Sequence, residues 1–167
     1  MRDPAAVDPL LQVVLVAPEI PQNTGSIART CAATRTRLHL IEPLGFSLDD
    51  RYLKRAGLDY WPHVDLVLHR DWPSYVAATP GVRRWFLSAR ATRSYLAAPM
   101  AAGDHLVFGR ETKGLPAELL AEHVEHTLTI PIFSPHVRSL NLSNAVSIVL
   151  YEGLRQVGAL DGDIPGG

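Results

Sequence analysis

The chain has 167 residues, 47% apolar and 20% charged, with a formal net charge of −1. That length suffices for one domain with a real core, and the charge balance excludes a grossly basic nucleic-acid binder while leaving room for a local RNA-binding patch. The single cysteine, Cys31, excludes an intramolecular disulfide framework and any multi-cysteine metal site.

Residues 1–10 are expected to be a flexible end. Residues 11–16 read as a short buried strand. Residues 18–25, with two prolines and a glycine, read as a loop. A helix over 26–34 ends near Arg35 and buries Cys31 as a small apolar residue. A second strand covers 38–41, and 49–56 form a short helix whose acidic start and basic end suit the helix dipole. The pattern continues with a strand at 64–68, a helix at 72–78, strands at 85–88 and 105–108, a helix at 116–122 and a sixth strand at 127–130. Strands alternating with helices indicate an α/β domain over 11–158, its mainly parallel sheet flanked by helices. Pattern alone gives an open doubly wound sheet, followed by a flexible tail at 159–167. The longest apolar run, 13–17, is too short to cross a bilayer. Residues 1–9 have no signal-peptide core, so a reducing cytoplasm is expected.

The closing stretch, 138–156, begins as a polar loop and becomes a helix. Ser139 or Ser143 is expected to cap it. Ala145, Val146, Ile148, Val149 and Leu150 are too many apolar residues for one narrow stripe, so the helix should be buried on most sides. Gly158 stands where a left-handed stop is expected. Arg138, Ser139, Asn141, Ser143 and Asn144 crowd the seven residues in front of it. They form either a satisfied capping loop or a set of donors and acceptors for a ligand.

Ligands of α/β sheets favour the carboxyl ends of strands. Residues 87–89, 109–115 and 131–141 lie at such ends. Gly109 and Gly114 are either turn glycines or points where backbone approaches a ligand. Only Gly25 follows the first strand, so no dinucleotide fingerprint exists there, and G-R-E-T-K-G-L is not a P-loop. The seven histidines show no metal spacing, His123 and His126 included, so no metal is expected. No G-x-S-x-G elbow is present, which argues against a hydrolase. Two basic groups, Arg29, Arg35, Arg37, Arg51, Lys54 and Arg55 and then Arg83, Arg84, Arg90 and Arg93, are either solvated faces or RNA-binding patches.

Four stretches also carry a resemblance to a known family. R-S-L-N-L-S-N-A-V-S-I-V-L-Y-E at 138–152 resembles the third signature of the SPOUT methyltransferases. P-E-I-P-Q-N-T-G-S-I-A-R at 18–29 and F-G-R-E-T-K-G-L at 108–115 match the other signatures in order. L-H-L-I-E-P-L-G-F-S-L-D-D-R-Y-L-K-R-A-G-L-D-Y-W at 38–61 is similar to the TrmL-like branch, which methylates the wobble ribose of tRNA. The resemblance covers residues 11–158. It implies a SPOUT α/β-knot, with the last helix threaded through a loop in a C-terminal trefoil knot, which pattern and physics would not suggest.

The resemblance further implies that S-adenosyl-L-methionine is held in a bent form, mainly by backbone groups and apolar contacts. The matching positions are Leu87, Gly109, Ile130, Ser139 and Leu140, with Glu111, Gly114 and Asn144 in the same motifs. Glu111 has three possible roles: orienting its loop, facing the cofactor's positive charge, or serving as N-terminal charge for the helix after Pro116. Asn23 and Arg29 are expected to frame one ribose. Methyl transfer needs the 2′-oxygen in line with the sulfonium methyl and its proton removed. Arginine stays protonated under nearly all conditions. Arg29 is therefore expected to position the ribose and stabilise alkoxide charge, although the family is often described with this arginine as base. A helix-surface salt bridge is its purely structural alternative. Arg138 and Tyr151 match substrate-site positions, core packing being the alternative for Tyr151.

The implied activity is 2′-O-methylation of wobble nucleotide 34 in the anticodon stem-loop of tRNA, by a homodimer without membrane or metal partner. Methylation of another RNA such as rRNA, or a non-enzymatic RNA-binding factor of the same fold, are the alternatives. Intact Arg29, Glu111 and N-L-S-N speak against the last. The chain departs from the family at Arg35, where glycine is usual, at Arg110, where proline is common, and at Ile132, where methionine is common.

Overall fold

The computed structural model describes residues 8–56 and 60–162. The expectations for residues 1–7 and 163–167, and for 57–59 of the fourth motif, lie outside them. The elements run β1 (Gln12–Val16), α1 (Pro21–Ala33), β2 (Arg37–Ile41), α2 (Arg51–Ala56), β3 (Leu66–His69), α3 (Trp72–Ala78), β4 (Arg84–Leu87), β5 (His105–Phe108), α4 (Ala117–Glu122), β6 (Thr127–Leu128) and α5 (Leu142–Gln156). The strands form one sheet in the order β3-β2-β1-β5-β4-β6, with every pairing parallel. The expected α/β class and strand-helix alternation hold.

Central parallel strands are buried on both faces and so read as continuous apolar runs. In β1, Val13 and Leu15 pack with Ile27 and Cys31 of α1 and with Val146, Val149 and Leu150 of α5. Val14 faces the other way, toward Tyr75 of α3 and Leu119 of α4. Cys31 is the small buried residue expected, and burial pushes its thiol up to about 12.

Several boundaries differ from expectation. The 18–25 stretch is not all loop, because α1 starts at Pro21. Proline's fixed φ suits the first helical position, where its missing N–H is not needed. Arg35 sits at φ 53, in the left-handed region where any Cβ is crowded. A glycine would hold that conformation without strain. A 3-10 turn at Trp61–His63 delays β3 to Leu66. The sixth strand stops at Leu128 because Thr129 bonds instead to the backbone of Arg93 and Tyr95.

The cap of α5 is neither Ser139 nor Ser143. Asn141 Oδ1 accepts from Ser143 N at 2.9 Å and Asn144 N at 3.3 Å, the N-cap arrangement of a short amide side chain. The helix stops before Gly158, whose φ is 78 as expected. At Gly153 it lies so close to the core that a Cβ would stand 2.6 Å from Leu11 Cδ1. It is not buried on most sides: Val146, Val149, Leu150, Gly153 and Leu154 are covered, whereas Asn144, Ile148, Tyr151 and Arg155 share an exposed side. The second basic group is largely structural. Arg83 pairs with Asp104 at 2.7 Å, Arg84 bonds Tyr75 and Thr79, and Arg93 donates to the Glu125 and Ala97 carbonyls. His123 stacks on Phe86, and His126 meets the Trp85 ring edge-on. No helix among the described residues is long and apolar enough to cross a membrane.

Beneath α3 lies a buried polar chain. His39 bonds Gln12 Oε1 through Nε2 and His69 Nε2 through Nδ1, the latter at 2.8 Å. Tyr75 OH meets His105 Nδ1 at 2.7 Å while accepting from Arg84 Nε. Gln12 Oε1 can only accept, so His39 donates to it through Nε2 and accepts from His69 through Nδ1. Protonating His39 would place a charge in the buried chain and force His69 to change tautomer in order to accept from it. Burial first, then neighbouring cationic groups, lowers His39 to about 3 and His105 to about 4; burial lowers His69 as well. Unfolded histidines titrate near about 6.5. Between that value and the folded ones the unfolded chain binds more protons, so stability is full above about pH 6.5 and falls as pH drops toward about 4. Each such ring steepens the fall by up to about 1.4 kcal/mol per pH unit. The urea midpoint should therefore decline from about pH 7 to about pH 5, less steeply in His39→Gln. A wild-type midpoint constant across that range would contradict the account.

Candidate active site

The loops after β4, β5 and β6 converge on one pocket of about 730 Å³ at the carboxyl edge of the sheet, where parallel sheets place their ligands. Its wall includes Asn23, Leu87, Gly109, Glu111, Gly114, Ile130, Arg138, Ser139 and Leu140, all singled out from the sequence. Ile20, Phe108, Leu142 and Ala145 complete its apolar part. These four carried no chemical signal, being ordinary apolar residues that only the fold brings to the rim. Asn144, Arg29 and Tyr151 do not line the pocket of their own chain.

Of the two readings for the glycines, the structure supports the turn. A Cβ at Gly109 would stand 2.1 Å from Gly114 C and 2.2 Å from Leu115 N. Gly109 thus admits the loop's own backbone, and Gly114, at φ +67, makes the turn that brings it there. Gly114 N donates to Arg110 O at 2.9 Å, closing the turn.

Glu111 resolves among its three roles. Its carboxylate accepts from Glu19 N at 2.9 Å, Ile20 N at 2.7 Å and Asn23 Nδ2 at 3.2 Å. It therefore braces the entrance to α1, and it does not serve as the charge for α4. Glu19 returns the contact, accepting from Thr112 N at 3.1 Å and Thr112 Oγ1 at 2.7 Å. Those two bonds hold the Glu19 carboxyl below its ordinary value. Asn23 Oδ1 in turn accepts from Asn141 Nδ2 at 3.0 Å. One chain of bonds thus joins the β5–α4 loop, the start of α1 and the cap of α5. The buried Asn23 is a relay in it.

Arg29 lies one helical turn and a half further along α1, on its exposed side. Its guanidinium sits 4.7 Å over the Tyr60 ring, with Nη2 3.3 Å from Tyr60 OH. That is a cation–π contact and not the surface salt bridge considered from sequence. Tyr151 is 45% exposed and so is not core.

Glu111→Ala would leave three donors without their carboxylate. Bonds to a charged acceptor are worth about 1.5–3 kcal/mol each at most and are not additive, so we expect a loss of roughly 2–3 kcal/mol in urea unfolding, with Glu111→Gln losing about half of that. A loss under about 0.5 kcal/mol for the alanine variant would show that the brace is not used.

Residues 10–151 match the SpoU rRNA Methylase family. A tRNA (cytidine(34)-2'-O)-methyltransferase of Saccharophagus degradans is 48% identical over 151 residues, covering 89% of this chain and 97% of that protein. The protein of the same name from Escherichia coli K12 is 47% identical over 150 residues, covering 89% and 95%. A structure solved for insight into the 2-OH methylation of C/U34 on tRNA superposes with a TM-score of 0.84 at 53% identity, covering 87% of this chain and 95% of that one. The SpoU methyltransferase AviRb from Streptomyces viridochromogenes, in complex with the cofactor AdoMet, shares the fold at a TM-score of 0.75 and 23% identity, covering 91% of this chain and 62% of that one. With its sheet, its three loops and nearly all its length accounted for in this way, the chain belongs to the SpoU methylase family of SPOUT methyltransferases.

Proposed function

We propose that this chain transfers a methyl group from S-adenosyl-L-methionine to the ribose 2′-hydroxyl of the wobble nucleotide, position 34, of tRNA. The observation that carries the reading is the convergence of three family motifs on one pocket, tied together by the Glu111–Asn23–Asn141 chain. The relatives quoted above act on nucleotide 34 of tRNA by name, which favours tRNA over rRNA. The pocket residues fit the cofactor. Its volume of about 730 Å³ is in the range of small-molecule sites. Leu87, Phe108, Ile130 and Leu142 offer apolar walls, and the backbone at 109–114 and 138–141 offers polar edges. When bound, the cofactor supplies a methyl on a positively charged sulfur.

The remaining work falls to the chain's own residues. Leu87, Gly109, Gly114, Ile130, Ser139 and Leu140 hold the cofactor, with Glu111 keeping its loop in place. Asn144, exposed at the start of α5, belongs to the same motif and faces outward from its own pocket. Asn23 and Arg138 orient the ribose at the pocket rim. The 2′-oxygen forms its bond to the methyl carbon as the carbon–sulfur bond breaks, and the hydroxyl proton leaves to solvent or a neighbouring base. Arg29 stabilises the negative charge on that oxygen, its fixed positive charge suiting a positioner better than a base. No His, Cys, Asp or Glu cluster among the described residues is arranged to hold a metal. Residues 11–158 act as one domain in this reading, working in the cytoplasm. The trefoil threading of its C-terminal part belongs to the same proposal, supported by α5 packing against both α1 and β5.

Arg29 and Tyr151 lie outside their own chain's pocket, which is why the reading includes a twofold homodimer. Ile148 and Tyr151 on α5 are exposed, as are Ile20, Val137 and Leu140 around the pocket mouth. A second copy covering this apolar surface would bring its Arg29 to the first copy's cofactor, and twofold symmetry makes the contact occur twice.

Two sets of outcomes follow. Calorimetry on EDTA-treated protein should show binding of S-adenosylhomocysteine, and Arg29→Ala should abolish methylation of an anticodon stem-loop with cofactor affinity unchanged. Absence of binding heat would sink the enzyme reading; activity within tenfold of wild type, a barrier change under about 1.4 kcal/mol, would remove Arg29 from the mechanism. Secondly, Ile148→Asp should yield inactive monomers in sedimentation, while hybrids of Arg29→Ala and Gly109→Val subunits should regain activity. An active monomer, or dead hybrids of correct stoichiometry, would refute the shared site.

A further inference from the structure

Most cations among the described residues have partners within the fold. Arg37, Lys54, Arg70, Arg83 and Arg155 are in ion pairs. Arg84 and Arg93 donate to hydroxyl and carbonyl oxygens, and Arg29 and Arg51 lie over tyrosine rings. By contrast, among the described residues the side chains of Arg90, Arg110 and Lys113 take part in no hydrogen bond or ion pair. All three line a single open groove of about 540 Å³ beside the pocket, and Thr112 lies between the last two. No carboxylate lines that groove. Arg90, Arg110, Thr112 and Lys113 also form part of the pocket's own wall.

Three like charges gathered in one concavity repel each other, and concave walls focus the field they make. Such a concentration is stabilised by an anion. The groove is floored by Gly114, Leu115, Pro116 and Ala117 and open to solvent, so it suits an extended anion better than an enclosed small molecule. Its two arginines have planar forks that match phosphate oxygens, and Lys113 adds a point charge with three donors. Since the groove runs into the pocket, an anion seated in it is adjacent to whatever occupies the pocket.

We propose that Arg90, Arg110 and Lys113 form a phosphate-binding groove that grips the RNA backbone next to the methylated nucleotide. This rests on the RNA methyltransferase reading above. It also offers a chain of net charge −1 a local gathering of cations for a polyanion, since Arg90, Arg110 and Lys113 lie together in one groove beside the pocket. Contacts of this kind position the strand without reading its sequence.

The test is the salt dependence of binding to a synthetic anticodon stem-loop, followed by fluorescence anisotropy over a series of KCl concentrations. Each phosphate contact contributes about 0.7–0.9 to the slope of log affinity against log salt. Arg110→Ala with Lys113→Ala should lower the slope by about 1.4–1.8 and weaken binding at least about tenfold. Arg110→Lys should retain most of the slope, and Arg70→Ala, at the opposite edge of the sheet, should leave it at the wild-type value. Calorimetry with S-adenosylhomocysteine runs in parallel on the same proteins. An unchanged slope in the double variant overturns the groove, as does an equal loss in Arg70→Ala, which would indicate a diffuse field. Loss of cofactor affinity with the RNA slope intact assigns the cations to the cofactor instead. Wild-type protein that binds cofactor but no stem-loop at any salt defeats the RNA reading itself, and the groove with it.

Discussion

The carboxylate of Glu111 is the joint on which the site depends. It accepts three hydrogen bonds from the segment that opens α1, across 88 to 92 residues of sequence. A helix start leaves backbone N–H groups without partners, and here the residues just before α1 find theirs on a loop that belongs to the far half of the chain. Asn23 passes the connection to Asn141, which simultaneously caps α5. Three of the four motif stretches are thereby fixed to one another by polar contacts that water would otherwise satisfy. The pocket walls are held by that chain, with Gly109 allowing the β5 loop to fold against itself at a separation no side chain could tolerate.

Below the site the sheet separates two different interiors. The face toward α1 and α5 is apolar from Leu11 to Leu154. The face toward α3 and α4 mixes apolar residues with the neutral His39, His69 and His105 chain. Buried polar groups are tolerated where every donor meets an acceptor, and here the tautomers can be assigned so that each contact pairs a donor with an acceptor. The cost is sensitivity to acid, since an added proton brings a charge into a buried site.

The closing helix shows how one element serves two ends. Its inner side closes the core, with Gly153 permitting a close approach to Leu11. Its outer side leaves Asn144, Ile148, Tyr151 and Arg155 uncovered. An apolar pair flanked by polar residues on an exposed helix side suits association better than solvation. The same division explains why Asn144 and Tyr151 of this helix do not line the pocket of their own chain.

Much was legible from the chain itself. β1 with its Val13–Val14–Leu15 run, α3 starting at Trp72 and β5 at 105–108 follow from hydrophobic pattern, because local burial demands local apolarity. The pocket-lining residues were legible through motifs, since backbone-binding loops need glycines and small polar residues at set spacing. What the sequence left open depended on partners distant along the chain. Pro21 read as a breaker, yet the bonds from residues 19 and 20 to Glu111 let α1 begin there. Ser139 and Ser143 were the expected caps, and only the bond to Asn23, which fixes the Asn141 side chain, gives the cap to the asparagine. Arg83, Arg84 and Arg93 looked like Arg90, and only the approach of Asp104, Tyr75 and the Glu125 carbonyl separates scaffold cations from unpaired ones. Composition and period report what a residue is; its hydrogen-bond partner is decided by which other segment the fold brings within about 3 Å of it.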